Sequence, residues 1–531
     1  MPKSKKIFAA IFAGILLMGI FLRTYKLHDW LKFGPDQARD AILLEGVVNN
    51  QDSMSLLGPV AGGTNFHLGP AFYYFGYAAA KIFGSYPDKL AYPDVLFSIL
   101  TIPLLFFFLR KYFNGKISLA LIFLASISYF LIINSRFASN PNSTPFFVLL
   151  FLFSILQMTE KKESRMWPVV LGISAGVGVQ LHTFLIFIMP MVLLIVFARL
   201  LWKKEIKWKK IRVIILFFLL VNAPQILSEI RSNGANTREF FFSTNSKSKS
   251  FGAVARDIQT NISCQINANV NIVFAVAKNE ECRDFLRLNK NLKIDKKIPN
   301  QGLARSFILF EFLFGLVFSI GGYILLWKSV KKEEDVLKKN FIQIVLLYNS
   351  VSFLILIPVA SEISLRYFTI LFFIPFVLLG LWIKFLADKI KINKIILILL
   401  ILAFPLFSNM IGVYKSARIL QASQANDSEN SILGEMEKIA EYVILNTKPK
   451  DIIYLTGERT YEYRFFRPLK YLLERKDRIF LEAENAQKIN SNDSIFYIGK
   501  NNQSIREKLD EYQILDFKEF NKVIIFKVKK I

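Results

Sequence analysis

Two aspartates near the N-terminus, Asp36 and Asp40, stand four residues apart in the stretch KFGPDQARDAILLEG, residues 32–46. The stretch follows an apolar segment, where a carboxylate is costly unless it caps a helix, faces water or performs chemistry. Gly34 and Pro35 predict a helix start, and an acid in the first turn stabilises the helix dipole by roughly 0.3–1 kcal/mol. Asp40 lies one turn later on the same face. A positioned carboxylate can also act as a general base, so both acids are candidates for chemistry.

The elements around these acids are long apolar runs. Of the 531 residues, 53% are hydrophobic and 52 are Phe, and several runs approach the roughly 20 residues that a membrane-spanning helix needs. The net charge of +26 lies largely in short loops such as WKKEIKWKKIR at 202–212. Short basic loops mark the cytoplasmic side of a membrane protein, and this distribution argues against a nucleic-acid partner. We predict a mainly α, polytopic transmembrane bundle of about eleven spans, with an uncleaved first span and a cytoplasmic N-terminus.

This topology divides the chain into two domains. Residues 1–412 form the transmembrane domain with outer loops 24–88 and 231–302, and residues 413–531 form a soluble extracytoplasmic α/β domain. In the tail, short apolar runs such as KVIIFKV predict strands between helical stretches. It has no Gly-rich nucleotide fingerprint, so we expect an accessory role. The apolar stretch 69–84 is too short to span comfortably, which predicts a helix in the outer interface.

The two cysteines, Cys264 and Cys282, both fall in the second predicted outer loop. Two cysteines in one extracytoplasmic loop suggest a disulfide, and two unrelated free thiols are the alternative. With only two cysteines and no histidine beside them, the sequence does not favour a zinc site.

Other ionisable groups lie outside the predicted spans or at their outer ends. They are His28, His67, His182, Arg136 and the pair Arg366–Tyr367. A transporter more often places such groups near the bilayer midplane, so one-sided placement favours an enzyme at the outer surface. Each group also has a simpler reading: Arg366 as a span anchor or a partner of Glu362, Tyr367 as an aromatic-belt residue, and the histidines as hydrogen-bonded structural residues.

Four segments in order carry a family resemblance: GPDQARDA, FHLGPAFYYFGYAAAKIFG, SRFASNPNSTPFF at 135–147 and LRYFTILFFIP at 365–375. Over roughly residues 1–412, the chain resembles the membrane glycosyltransferases of the GT-C superfamily, especially protein O-mannosyltransferases and lipid A aminoarabinose transferases. In these families, an Asp followed by Glu stands in the first outer loop; Asp36 matches the Asp, and Gln37 departs from the Glu.

The resemblance implies a polyprenyl-phosphate sugar donor, a surrounding lipid membrane and an acceptor outside the cytoplasm, whether protein, lipid or glycan. It makes Asp36 the general base for the acceptor hydroxyl. Asp40 either assists, binds the acceptor or pairs with Arg39. Arg366 would neutralise the departing phosphate through charge-assisted hydrogen bonds.

Substrate contacts are also expected from Tyr367, His67, His182 and Arg136. No residue spacing marks a metal site, although a divalent metal stays open as a cofactor. A flippase or transporter, or a ligase of lipid-linked saccharides, is the alternative function.

Overall fold

The structure is a computed structural model that describes residues 3–160, 165–244, 251–275, 302–421, 431–482, 493–502, 505 and 509–531. The part before residue 422 is helical. Its α-helices are α1 (Lys3–Thr24), α2 (Pro35–Val48), α3 (Ala71–Phe83), α4 (Pro87–Leu90), α5 (Tyr92–Leu109), α6 (Gly115–Ile127), α7 (Tyr129–Ile133), α8 (Thr144–Thr159), α9 (Met166–Leu181), α10 (Leu185–Trp202), α11 (Trp208–Val221), α12 (Ala223–Arg231), α13 (Ala235–Thr244), α14 (Phe251–Phe274), α15 (Gly302–Lys332), α16 (Val336–Leu356), α17 (Ile374–Lys389) and α18 (Lys394–Gln421). Three 3-10 helices cover Asn140–Ser143, Ile357–Glu362 and Leu365–Leu371.

Within the described residues, seven helical stretches are long and apolar enough to cross a membrane, or up to nine if each of two bent pairs forms one span. The bent pairs are α11 with α12, at 62°, and Leu365–Leu371 with α17, at 64°. The chain is a polytopic membrane protein, as the apolar runs predicted. All eleven predicted spans fall on helices, but two of these, α6 and α9, have only 13 and 16 residues. The number that crosses stays a prediction.

The stretch 69–84, predicted as an interfacial helix, forms α3, which packs against α2, α5 and α9. Its start depends on a close contact with α9. The Ala71 amide donates to Gln180 Oε1 at 3.0 Å, and a Cβ on Gly69 would lie 2.2 Å from the Gln180 side chain. Glycine at position 69 therefore lets α3 approach α9.

The segment 231–302, predicted as an outer loop, contains two helices in its described part, α13 and α14. α14 packs against α15, α17 and α18, so it belongs to the bundle and is not loop. Cys264 is fully buried there, and its predicted disulfide partner Cys282 lies outside the described residues. The pairing, and the side of the membrane that this segment faces, stay predictions.

The C-terminal domain is a small α/β unit, as predicted. Its elements are α19 (Leu433–Leu445), β1 (Ile452–Gly457), α20 (Arg459–Glu474), β2 (Ile479–Glu482), β3 (Ser494–Lys500), β4 (Tyr512–Phe520) and β5 (Val523–Lys530). The strand order is β2-β1-β3-β5-β4. The pairs β1–β2 and β1–β3 are parallel, whereas β3–β5 and β4–β5 are antiparallel. Helices α19 and α20 pack against the sheet and share an apolar core with its strands.

Two large apolar cores organise the chain. One lies among the bundle helices. The other joins residues of α2 and α3 to residues of α19, α20 and the sheet, for example Leu44 and Phe72 to Met436 and Phe465. The C-terminal domain therefore shares its interior with the segment that carries Asp36 and Asp40.

Candidate functional site

Asp36 occupies the first turn of α2, within a segment that we call the acidic turn, residues 32–37. Pro35 begins the helix. The amide of Gly34, the residue before the helix, donates to Gln37 Oε1 at 3.1 Å, so this amide at the N-terminal end has a hydrogen-bond acceptor. The Asp36 side chain is 73% exposed and accepts a bond from Arg39 Nη1 at 3.0 Å. An exposed carboxylate with one side-chain partner stays accessible to an approaching hydroxyl group.

Asp40 has the opposite environment. Its side chain is buried and accepts hydrogen bonds from Arg39 Nε at 2.9 Å and from the Tyr73 hydroxyl at 3.0 Å. Burial raises the pKa of the Asp40 carboxyl to about 6, while the charge and hydrogen bond of Arg39 and the bond from Tyr73 act against this rise. Burial also raises the pKa of the Tyr73 hydroxyl above its ordinary value. Asp40 thus fixes α2 to α3 and orients Arg39 beside Asp36.

Arg366 lies in the 3-10 helix that precedes α17. Its Nη2 donates to Ser139 Oγ at 2.5 Å and to Asn142 Oδ1 at 3.3 Å, and its guanidinium lies 5.0 Å from the centre of the Phe137 ring. We call residues 137–143 the arginine-binding turn. Two segments that were predicted separately, 135–147 and 365–375, therefore meet at one cation.

Asp94 holds the arginine-binding turn in place. It is 2% exposed, and it accepts bonds from the Ser139 amide at 3.0 Å and from the Ser143 hydroxyl at 2.5 Å. Sequence reasoning did not single out Asp94, Ser139, Asn142 or Ser143. The signal that could have drawn attention to Asp94 is a lone acid at the start of an apolar span, in YPDVLF.

Tyr367 and His182 lie beside the same turn. Their ring centres are 5.6 Å apart at an interplanar angle of 81°, and His182 is buried at the end of α9. The Asn140 side chain donates to the Leu181 carbonyl at 3.1 Å, which joins this end of α9 to the arginine-binding turn. Two predicted substrate-binding residues are thus next to Arg366.

The acidic turn contacts the arginine-binding turn directly. Gln37 Nε2 donates to the Ala138 carbonyl at 3.3 Å, and Lys32 Nζ lies 5.6 Å from the centre of the Phe137 ring. Gln37, the residue that departs from the family pattern, therefore links the two turns. Together they bring an exposed carboxylate, an arginine and a lysine to one region of the molecule.

The other two predicted substrate-binding residues lie in separate structural contacts. His67 Nδ1 is 2.9 Å from the Gly58 carbonyl, and the His67 amide donates to Asn236 Oδ1 at 2.7 Å. Arg136 donates to the Leu22 and Tyr25 carbonyls at 2.7 and 2.6 Å, which binds the end of α1. Burial lowers the pKa of the Arg136 guanidinium to about 10. Substrate contacts of His67 and Arg136 stay predictions.

In the part of the chain that the structure describes, no group of three or more His, Cys, Asp or Glu side chains is arranged to hold a metal ion.

Several solved structures are similar in shape to this chain at low sequence identity. ArnT from Cupriavidus metallidurans in the apo state covers 99% of this chain and 98% of its own length, with 11% identity and a TM-score of 0.49. The same protein bound to undecaprenyl phosphate covers 98% of this chain and 97% of its own length, with 11% identity and a TM-score of 0.47. A third structure is that of the archaeal oligosaccharyltransferase AglB from Archaeoglobus fulgidus in complex with an inhibitory peptide and a dolichol-phosphate. It covers 92% of this chain and 65% of its own length, with 15% identity and a TM-score of 0.49.

None of the curated proteins matches the chain. Residues 67–227 match the family described as dolichyl-phosphate-mannose-protein mannosyltransferase. This stretch includes Asp94, the arginine-binding turn and His182, but neither Asp36 nor Arg366. The predicted resemblance to membrane glycosyltransferases of the protein mannosyltransferase type is thereby confirmed for this stretch.

Proposed function

We propose that this chain is a glycosyltransferase that moves a sugar from a polyprenyl-phosphate-linked donor to an acceptor hydroxyl group at the outer face of the membrane. The family match over residues 67–227 and the membrane-spanning helices support this class of reaction. The observation that carries the proposal is the meeting of Arg366 and the acidic turn on residues 137–142.

The proposed chemistry uses these two groups on opposite sides of the sugar. Asp36 accepts the proton of the acceptor hydroxyl group while the oxygen of that hydroxyl group forms a bond to the anomeric carbon of the sugar. The bond between this carbon and the phosphate oxygen breaks, and the electron pair leaves with the polyprenyl phosphate. Arg366 stabilises the negative charge that develops on the phosphate, because its guanidinium forms charge-assisted hydrogen bonds.

The remaining residues of the site act by positioning. Asp94 fixes Ser139 and Ser143, and Ser139 with Asn142 holds Arg366. Asp40 holds Arg39, which in turn contacts Asp36. The buried Asp40 is therefore a positioning residue in this proposal, and Asp36 is the base.

The outer-face assignment includes a cytoplasmic N-terminus and an extracytoplasmic C-terminal domain, and it is supported by the basic short loops. A cysteine placed at the exposed position Lys476 in a cysteine-free background should react with an impermeant maleimide added to intact cells. A cysteine at exposed Lys203 should react only after permeabilisation. The reverse pattern would place the proposed site on the cytoplasmic side.

The transfer reaction is tested with the purified chain, radiolabelled polyprenyl-phosphate-mannose and an envelope fraction that supplies acceptors. The wild-type chain should move label from the lipid to the acceptor fraction. Arg366→Ala should lower the rate roughly 10- to 100-fold, because a hydrogen bond to a charged group contributes about 1.5–3 kcal/mol. Arg366→Lys should recover only part of the rate, since a point charge lacks the planar fork.

Arg199 provides a matched control, because it bonds Gln343 and Asn340 on α16, away from the arginine-binding turn. Arg199→Ala should transfer at the normal rate. A normal rate in Arg366→Ala would make Arg366 a span anchor. Mass spectrometry of glycolipids and glycoproteins from cells with and without the gene identifies the sugar and acceptor, and unchanged glycans would count against transfer.

A further inference from the structure

We propose that the C-terminal domain is part of the transferase site, because its segment 431–434 holds the acidic turn in the conformation that presents Asp36. This inference rests on the proposed function and assigns a positioning role to the domain that the sequence suggested was accessory. The residue through which it acts most directly is Ser431.

The first argument is a line of backbone hydrogen bonds between the two segments. The Phe33 amide donates to the Ser431 carbonyl at 3.0 Å, and the Leu433 amide donates to the Leu31 carbonyl at 2.9 Å. Lys32 and Ile432 form an antiparallel β-bridge between them. This pairing ends immediately before Gly34, so it sets the direction in which the chain enters α2.

A side-chain bond adds to the backbone pairing. Ser431 is 6% exposed, and its hydroxyl donates to the Phe33 carbonyl at 2.9 Å. Phe33 itself is fully buried, with its ring 5.8 Å from the ring of Tyr471 on α20. Both the backbone and the side chain of Phe33 are therefore fixed by the C-terminal domain.

The domain also contacts the flanks of this segment. Glu437 bonds His28 at 3.2 Å and accepts a bond from the Tyr86 hydroxyl, and Arg475 pairs with Glu45 near the end of α2. These contacts lie before and after the acidic turn along the chain. They restrain the whole first segment and not only the residues next to Ser431.

The acidic turn also contacts the arginine-binding turn, through the bond from Gln37 to Ala138. A shift of residues 31–33 therefore changes where Asp36 lies relative to Arg366. The rate of a catalysed reaction is sensitive to small shifts of the catalytic groups, since a misplacement of about 1 Å can lower the rate about 10²-fold. The donor phosphate, by contrast, is bound by Arg366, whose partners Ser139 and Asn142 the C-terminal domain does not supply.

This difference predicts a split between turnover and donor affinity. In the full-length protein, Ser431→Ala should lower kcat for transfer from polyprenyl-phosphate-mannose by about tenfold and leave KM for the donor unchanged. Ser431→Thr keeps the hydroxyl group and should restore most of kcat. Hydrogen–deuterium exchange of peptides covering residues 29–37 should be faster in Ser431→Ala than in the wild type.

A second variant moves the segment without removing a bond. A Cβ on Gly434 would lie 3.0 Å from the Asp29 carbonyl oxygen, so Gly434→Ala should displace the pairing and lower kcat in the same way. Ser494→Ala is the matched control. Ser494 is also 6% exposed and donates to Asp451 at 3.3 Å on the sheet, away from the acidic turn.

The proposal is overturned if both variants transfer at the wild-type rate, or if kcat falls equally in Ser494→Ala. It is also overturned if exchange in residues 29–37 rises while kcat stays constant, because the contact would then only hold the domain in place. Absence of any transfer by the wild-type chain would refute the proposed function instead, and exchange would still report whether Ser431 restrains the acidic turn.

Discussion

The acidic turn and the arginine-binding turn each contain or contact an aspartate, but the two carboxylates have opposite environments. Asp36 in the acidic turn is 73% exposed and has one side-chain partner, Arg39. Asp94, which holds the arginine-binding turn, is 2% exposed and accepts bonds from a backbone amide and a hydroxyl group. The same residue type therefore serves as an accessible group in one turn and as an internal support in the other.

This contrast indicates how the two turns divide the proposed work. A carboxylate that receives a proton during the reaction has to meet the acceptor, and a carboxylate that fixes a loop has to have its oxygens occupied by donors. Exposure and hydrogen-bond partners separate the two roles where residue type does not. Substitution of either aspartate by asparagine, which has a similar shape and no charge, tests the division.

The largest expected effect is that of Asp36→Asn on transfer. Asparagine keeps the size of the side chain and most of its capping capacity but cannot accept the hydroxyl proton, so the rate should fall on the order of 10²–10⁴-fold. Thermal stability should change little, because the side chain is exposed. Transfer rate and melting temperature measured on the same preparation check both parts.

Asp335→Asn is the matched control, since Asp335 is an exposed aspartate at the start of α16 whose carboxylate accepts bonds from the Leu337 and Lys338 amides. It should transfer normally. A capping role for Asp36 gives the opposite result: a modest loss of stability with a near-normal rate, in which case the base lies elsewhere.

Asp94→Ala should show the reverse pattern, with a loss of stability as its primary effect. The substitution leaves the Ser139 amide and the Ser143 hydroxyl without their acceptor, and a buried polar group left unpaired costs roughly 1–3 kcal/mol. The free energy of unfolding in detergent should fall by about that amount, and transfer should fall as Arg366 loses its fixed partners. Asp94→Asn keeps one acceptor oxygen, so its free energy of unfolding and its transfer rate should lie between those of the wild type and Asp94→Ala.

The assignment of Asp94 as an internal support, in contrast to the accessible Asp36, would be wrong if Asp94→Ala unfolded at the wild-type temperature while transfer was abolished. That outcome would make Asp94 a group that acts on substrate and not a support for the arginine-binding turn.

The sequence predicted the helices and the small sheet because each apolar run carries its own signal. It also identified both motif segments that meet at Arg366. The helical packing of α14 was not predictable in this way. Its polar residues suggest a loop, yet Gln265 bonds Tyr323 and Asn349, and Asn269 bonds Ser319. Polar side chains are buried there because partners on other helices satisfy them, and such partners cannot be read from local sequence.

The candidate site shows the same limit. Asp36, Arg366, Tyr367 and His182 were chosen for their residue types, their predicted places outside the membrane or at outer span ends, and a family resemblance, and the last three lie together. Asp94 was missed because its partners are 45 and 49 residues away in the chain. The pairing of Ser431 with Phe33 joins residues 398 positions apart, so the role proposed for the C-terminal domain depends on tertiary structure alone.

The last expected effect concerns Asp40, which shares a helix with Asp36 and a buried environment with Asp94. Burial raises its pKa from 3.8 to about 6. Between these pH values, the folded protein keeps a proton that the unfolded chain has released. Stability from this group is therefore fully present below about pH 4, falls as the pH rises to about 6, and is constant above that.

Asp40→Asn should remove this dependence. The difference in unfolding free energy between the wild type and Asp40→Asn should change by roughly 2–3 kcal/mol between pH 4 and pH 7, in the direction of a relatively less stable wild type at the higher pH. Taking the difference cancels the carboxylates that both proteins share. Unfolding in detergent at several pH values measures it, and a difference that stays constant with pH would mean that Arg39 and Tyr73 keep Asp40 ionised throughout. In that event, Asp40 would resemble Asp36 in charge and Asp94 only in burial, and its proposed role would rest on the ion pair with Arg39.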